Sequence, residues 1–355
     1  MPSTTGVISA LCLTPAEDIL FMDAGTSAQT GGAEHDNWLP SLNLRFGLSD
    51  KTFFRFAVSR AMSRPDMGLY KNYVGVSLVQ PGCDNGTTVY AVPGDCTSSP
   101  VSYTPRYTAD AGNPQLGPTT ADQLDLTYEW YFSNTGSLTA ALFYKGFNDY
   151  IQYGTYIRPF TNNGVTRDVS IRGSVSGDGA SLRGFEVQYQ SFLDMLPAPW
   201  NGFGYQLNYT YVDNEGITNS NLSTVSNDGT TRQDPLITFT NLPLEGYSQS
   251  TYNIVAMFEQ EKFSVRLAYN WRSEYLISQS DCCIKLPIWQ DAYGQLDGSF
   301  HFKPSGSWDV FLDAQNLLQS ETVLRQQVTN SGMTLPRSWF VNDRRFNIGV
   351  RYRFQ

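Results

Sequence analysis

The 355-residue chain has little charge, almost no histidine, few cysteines and no long apolar run. No stretch approaches the roughly 18 consecutive apolar residues that a spanning helix needs, which excludes a helical membrane protein. A membrane β-barrel stays open, because alternating strands never produce such a run. Lys and Arg total 24 against 33 Asp and Glu, a formal charge of −9, and no basic run occurs. Phosphate backbones are bound by clustered cations, so no nucleic-acid partner is expected. His35 and His301 are the only histidines. With no His–Cys metal set, nucleophile elbow or phosphate loop, the sequence offers no catalytic residue, no metal site and no cofactor site. The many Asp and Glu could supply a glycosidase pair, but no motif singles out two.

Five cysteines are too few for a disulfide scaffold of this length. Cys83 and Cys96 lie thirteen positions apart in PGCDNGTTVYAVPGDC, and a loop-closing disulfide is expected there, in an oxidising compartment. The adjacent Cys282 and Cys283 have no connectivity that sequence assigns. The stretch Met1–Leu20 has no Lys or Arg before its apolar part and does not read as a secretory signal. Cys12 follows Leu11, which does not suit a lipoprotein anchor. The sequons at Asn85, Asn208 and Asn221 are read as chance.

What the chain does have is aromatic and turn-forming residue: 21 Tyr, 21 Phe and 30 Gly. A disordered chain would lack those aromatics, and one all-β domain of this length is ordinary. From Gln123 to Phe132, Leu124, Leu126, Tyr128, Trp130 and Phe132 alternate with Gln123, Asp125, Thr127, Glu129 and Tyr131. That period of two predicts a strand with two unlike faces. The last segment sets Phe346, Ile348, Val350, Tyr352 and Phe354 against Arg345, Asn347, Gly349, Arg351 and Arg353. Similar alternation over 42–48, 53–61, 137–149, 183–192, 203–213, 252–259, 263–273, 295–302 and 308–315 brings the expected strands to eleven.

Many of these segments alternate over about 9 to 11 residues, the length a tilted strand needs to cross a bilayer, whereas soluble strands usually have about 5 or 6. The connections alternate too, short after Leu48, Phe132, Phe192, Glu259 and Phe302, and long between the remaining pairs. Short periplasmic turns and long extracellular loops give that rhythm. Tyr128, Trp130, Tyr131 and Phe132, like Tyr269 and Trp271, sit near strand ends where interfacial girdles form. The reading is a transmembrane antiparallel β-barrel, partial, with about 11–13 strands and outer-membrane lipid around it. Counting connections back from the last strand makes the Leu42 strand descend from outside. An even, closed barrel then requires either an ascending strand within residues 1–37, around Ile19 to Asp23, or sequence upstream of the chain.

At this point residues 37–70, NWLPSLNLRFGLSDKTFFRFAVSRAMSRPDMGLY, resemble the stretch of TonB-dependent receptors in which two strands lead to an Arg-Pro loop. NPQLGPTTADQLDLTYEWYF, GSLTAALFYKGFNDYI, LRGFEVQYQ, FGYQLNYTYVDNEG, FSVRLAYNWRSEYL, DVFLDAQNLL and RRFNIGVRYRF continue the resemblance in order over about 38–354. Within that family the chain looks closest to the large receptors of Caulobacter- and Xanthomonas-type bacteria. The resemblance implies a 22-stranded barrel, plugged by an N-terminal domain and driven by the TonB–ExbB–ExbD complex. It implies uptake of a scarce nutrient, an oligosaccharide or a metal–siderophore chelate, across the outer membrane of a Gram-negative bacterium. On this reading 38–355 is the C-terminal part of the receptor barrel, 1–37 is an extracellular loop or residual strand, and the plug and TonB box are absent. The family's terminal aromatic, matched by Phe354, is followed here by Gln355.

Ligands of that family are caught by extracellular loops, so the expected contacts lie in 62–120, 150–182, 214–248 and 274–291. Tyr153, Tyr156, Arg158, Tyr247 and Trp289 are the candidates for stacking on or bonding a sugar or chelate; the plainer alternative is that each stabilises its own loop. Asp125, Glu129, Glu186, Arg266, Arg272, Asp297, Arg351 and Arg353 are expected to face the lumen. The competing functions are a soluble carbohydrate-binding or carbohydrate-cleaving β-protein, which would fold without detergent, and a non-energised porin, which would conduct.

Overall fold

The computed structural model describes residues 15–23, 30–78, 88–90, 100–103, 106–177, 179–219, 239–279, 281 and 286–354. Eleven strands form one sheet in strict sequence order. They are β1 (Ser41–Ser49), β2 (Thr52–Ser63), β3 (Thr119–Trp130), β4 (Ser137–Asn148), β5 (Ala180–Phe192) and β6 (Phe203–Glu215). The sheet continues through β7 (Ser250–Glu259), β8 (Phe263–Arg272), β9 (Tyr293–Ser305), β10 (Trp308–Gln315) and β11 (Arg345–Tyr352). Every neighbouring pair is antiparallel. The expected strands and the wall strands coincide, and β1 and β11 are the sheet's edges. No described helix is long and apolar enough to cross a membrane.

Residues directly opposite in an antiparallel pair share a face, so register decides what each face presents. Leu44, Phe56, Leu126, Leu142, Phe185 and Tyr211 stand in one row across β1–β6. Leu207, Ile254, Tyr269 and Leu296 form another across β6–β9, and Phe300, Leu312 and Ile348 a third across β9–β11. The opposite face carries Gln188, Asn208, Asn253, Asn270 and Gln295 in one row over β5–β9. There Asn208 donates to Glu186 at 2.7 Å, and Asn253 donates to Asn270. A one-residue slip would exchange the faces, so this agreement over eleven strands is what locks the register. Gly184 belongs to it: a Cβ there would come within 1.9 Å of the Tyr211 carbonyl oxygen.

Aromatic rings bound the apolar face at both ends. At the short-turn end Phe132 stacks on Tyr189 and Tyr189 on Tyr205, each at 5.5 Å, while Phe203 meets Phe258 at 4.4 Å and Trp308 meets Tyr352 at 4.8 Å. At the long-loop end Phe185 stacks on Tyr211 at 5.7 Å and Tyr252 on Trp271 at 5.0 Å. Beyond that second belt the same face becomes ionic: Arg60 pairs with Asp122 and Arg183 with Asp213, each at 2.7 Å. An apolar band, two aromatic girdles and then ion pairs is the profile of a lipid-facing wall passing into water. The opposite face is the lumen face, and the register puts Asp125, Glu129, Glu186, Arg266, Arg272, Asp297 and Arg351 on it, as expected.

The long connections are less loop-like than their composition suggests. Ile151–Asn162 and Val165–Ser176 form a hairpin of two 12-residue strands, closed by Asn163 and Gly164 at φ 47° and 77°. Two positive φ values in a two-residue loop make the turn that suits twisted strands. Tyr107–Asp110 pairs parallel to the inner arm, and Ser77–Leu78 pairs with Tyr107–Asp110. Pro159 lies in the outer, edge arm, where a missing N–H is tolerated. A second four-stranded sheet joins Tyr275–Ser278, Ile288–Gln290, Glu321–Gln327 and Thr334–Val341.

One expectation needs correction. Ile19 to Asp23 adds no wall strand: Ala16–Met22 is an α-helix, α1. Its buried residues, Asp18 and Phe21, are three apart on one helical face, and Glu17 and Asp18 favour the positive end of its first turn. Phe21 packs edge-on against Tyr107 at 4.7 Å, within a core shared with Ala109, Phe160, Val169 and Ile171. The region 150–182, expected as a loop, likewise supplies that hairpin.

Candidate functional site

Two assemblies sit at the long-loop end, each with part of the expected ligand set. In the first, the hairpin module, Tyr156 donates its hydroxyl to the Gly112 carbonyl at 2.9 Å, and burial pushes its phenol up from the ordinary tyrosine range. Arg158 donates to Asn72 Oδ1 at 2.9 Å and lies 4.9 Å from the Phe160 ring centre. The backbone of Tyr153 pairs with Ser174 across the hairpin, and its side chain lies outside the described residues. The helix α1 is tied to this module by Arg167, which donates to Asp18 at 2.7 Å and Glu17 at 3.1 Å. The Arg167 hydrogen bond, with a second from Tyr107 at 2.6 Å, holds the Asp18 carboxyl below the usual carboxylate range against the opposing effect of burial.

The second assembly brings Tyr247 and Trp289 together. They line one cleft of about 260 Å³ where β6 ends, β7 begins and the β8–β9 connection folds back. Asp213 and Asn214 come from β6, Gln249 from the approach to β7, and Glu274 and Tyr275 from the segment after β8. Trp289 donates its indole N–H to Gln327 Oε1 at 2.7 Å, and Tyr275 donates to Gln290 Oε1 at 2.8 Å. Arg272 lies over the Tyr275 ring at 3.6 Å while donating to Ser248 Oγ and to the Gly246 carbonyl, both at 2.8 Å. The Asn214 side-chain oxygen accepts from the Leu244 N–H. Tyr247 is 47% exposed. Under the cleft a core of Leu182, Val212, Phe239, Leu244 and Leu276 holds the loops against the wall, with Trp289 packed on it. Nearby, burial together with Glu245 and Tyr247 pushes the Tyr150 phenol up.

Sequence reasoning did not single out Asn214, Gln249, Glu274 or Tyr275. Their one signal was position, at the ends of wall strands that face a long connection. Cys83, Cys96, Cys282 and Cys283, and with them the expected disulfide, lie outside the described residues. Among the described residues no cluster of three or more His, Cys, Asp or Glu could hold a metal ion.

No curated protein matches the sequence. Similar solved structures are the siderophore receptor PirA from Acinetobacter baumannii, at 16% identity and a TM-score of 0.54 over 90% of this chain and 41% of that one. A mutant of the ferric enterobactin receptor PfeA from Pseudomonas aeruginosa, in complex with enterobactin, gives 15% identity and 0.55, over 89% of this chain and 40% of that one. The ferric-catecholate import receptor Fiu from E. coli K12 gives 14% and 0.50, over 88% and 34%. The chain thus spans about two fifths or less of the length of these receptors, and at such identity the likeness is one of fold. The family model for the TonB dependent receptor-like β-barrel matches residues 20–317. With a wall that is apolar outside, girdled at both ends and capped by folded loops, the chain belongs to the TonB-dependent receptor-like β-barrel family of outer-membrane proteins.

Proposed function

We propose that the chain is part of the wall of a TonB-energised outer-membrane transporter that imports a scarce nutrient, an oligosaccharide or a metal–siderophore chelate. The observation that carries this reading is the two-faced wall whose long connections fold into a cleft and a hairpin module at one end. A family of receptors and not of enzymes supports the same view. In this reading the remaining barrel strands, the plug and the TonB box belong to sequence outside this chain, and TonB–ExbB–ExbD acts through them. Residues 38–355 are its C-terminal barrel part. Tyr247 and Trp289 touch the ligand at the cleft, with Tyr153, Tyr156 and Arg158 as further contacts on the neighbouring hairpin.

The test is fractionation followed by uptake. The chain in its natural genetic context is expected in outer membranes, with nutrient uptake that is lost when tonB is deleted. Recovery in the soluble fraction, folded without detergent, would sink the proposal.

A further inference from the structure

We infer that the cleft beside Tyr247 and Trp289 takes an uncharged, hydroxyl-rich ring, one unit of a saccharide chain, and not an anionic iron chelate. The inference rests on the transporter reading above for the side from which the ligand arrives. It makes that reading more specific.

Charge is the first reason. Among the described residues no Lys or Arg lines the cleft, while Asp213 and Glu274 do. Two guanidinium groups beside these acids are already engaged: Arg183 on Asp213 at 2.7 Å, and Arg272 on Ser248, the Gly246 carbonyl and the Tyr275 ring. The five long connections hold eleven Lys and Arg against fifteen Asp and Glu. An anion is bound by charge-assisted hydrogen bonds from Arg or Lys, and here it would meet carboxylates instead.

The polar groups that remain are those that match hydroxyls. Asn214 has its oxygen taken by the Leu244 N–H, which leaves its NH₂ as a donor; Gln249 offers both donor and acceptor, and Glu274 accepts. Trp289, its N–H fixed on Gln327, has only ring carbon to present, and Tyr247 presents a half-exposed ring. Aromatic faces beside amides and carboxylates suit a sugar ring, whose C–H face is apolar and whose edge is all hydroxyl. The same chemistry continues below the cleft, where Gln188, Asn208, Asn253, Asn270 and Gln295 make an uncharged row on the lumen face.

Size is the third reason. About 260 Å³ lies below the roughly 300–1,000 Å³ of pockets that engulf drug-sized ligands. One ring fits within it, whereas a bulky chelate would stand mostly outside it.

The test titrates the full chain, taken from outer membranes in detergent, with hexameric malto-, cello- and xylo-oligosaccharides, with ferric enterobactin as the anionic probe and with spermidine as the cationic one. Binding is read by calorimetry, and each variant is first checked for parental folding by heat-modifiable gel migration. At least one glycan is expected to bind. Tyr247→Ala should weaken it about tenfold, while Glu274→Gln, which keeps a hydrogen-bonding group, should change it less than about threefold. Three results overturn the inference: no glycan binds, ferric enterobactin binds and is weakened by Tyr247→Ala, or spermidine binds and is lost with Glu274→Gln. TonB-dependent uptake of a chelate that Tyr247→Ala abolishes would leave the transporter reading standing and remove this one. Glycan binding by a chain found only in the soluble fraction would do the reverse.

Discussion

Single residues hold the long-loop end together, and Asn316 is the clearest case. It is buried at 4% exposure with φ 53°, a left-handed conformation that Asn tolerates better than most residues. Its amide donates to the Ser320 and Asn342 carbonyls at 3.3 and 2.7 Å and accepts from the Ser320 N–H at 2.8 Å, while its own N–H reaches Asp297 at 2.9 Å. It thereby ties β9, β10 and the approach to β11. Asn316→Ala should cost about 2–3 kcal/mol, read as a lower urea midpoint in lipid vesicles. Asp18 gives a pH-dependent case. Because its folded pKa is depressed, its contribution is full above the ordinary carboxylate value and is lost as pH falls through the lowered one. Docking of α1 should therefore be constant from pH 7 to about 5 and weaken below about 4. Asp18→Asn should loosen α1 by about 1 kcal/mol at neutral pH and flatten that dependence, as followed by hydrogen exchange in the hairpin.

At the scale of elements, the hairpin Ile151–Asn162/Val165–Ser176 depends on its turn. Gly164 at φ 77° is a position where a β-branched side chain is strained, so Gly164→Val should cost about 1–2 kcal/mol and speed limited proteolysis between the two arms. The signal for this hairpin was legible: Asn-Gly lies between Tyr156, Ile157 and Phe160 on one side and Val165, Val169 and Ile171 on the other. It was outweighed by the Gly, Ser and Thr content of the segment, which reads as loop when taken as composition. The wall strands were legible because a bilayer demands long, unbroken alternation. The shorter pairings, such as Tyr275–Ser278 with Ile288–Gln290, were not, since three or four residues carry too little periodicity to stand out. The helix α1 escaped for a related reason: seven residues are under two helical turns, and Asp18 is buried only because Arg167 and Tyr107, about 150 and 90 positions away, meet it.

Over the whole molecule, the prediction concerns the difference between the two faces of the wall. Leu142 is 57% exposed on the apolar face, between the girdles. Leu142→Arg should cost about 2–4 kcal/mol in lipid, whereas Thr210→Arg, on the lumen face of β6, should cost far less. Parallel unfolding of both variants in vesicles measures this, and equal losses would mean that the faces are assigned wrongly. The cleft belongs to this scale as well, since its lining comes from the end of β6 and from two separate connections.

Sequence alone determined the eleven strands, their up-and-down order and which residues share a face, because period two and the bilayer's thickness are written into consecutive residues. Only the tertiary structure decided which long connections come together. Tyr247 and Trp289 share a cleft while Tyr156 and Arg158 turn their polar atoms to Gly112 and Asn72, and no local pattern fixes such choices. They follow from packing between segments tens of residues apart, where the outcome depends on which apolar side chains can be buried together.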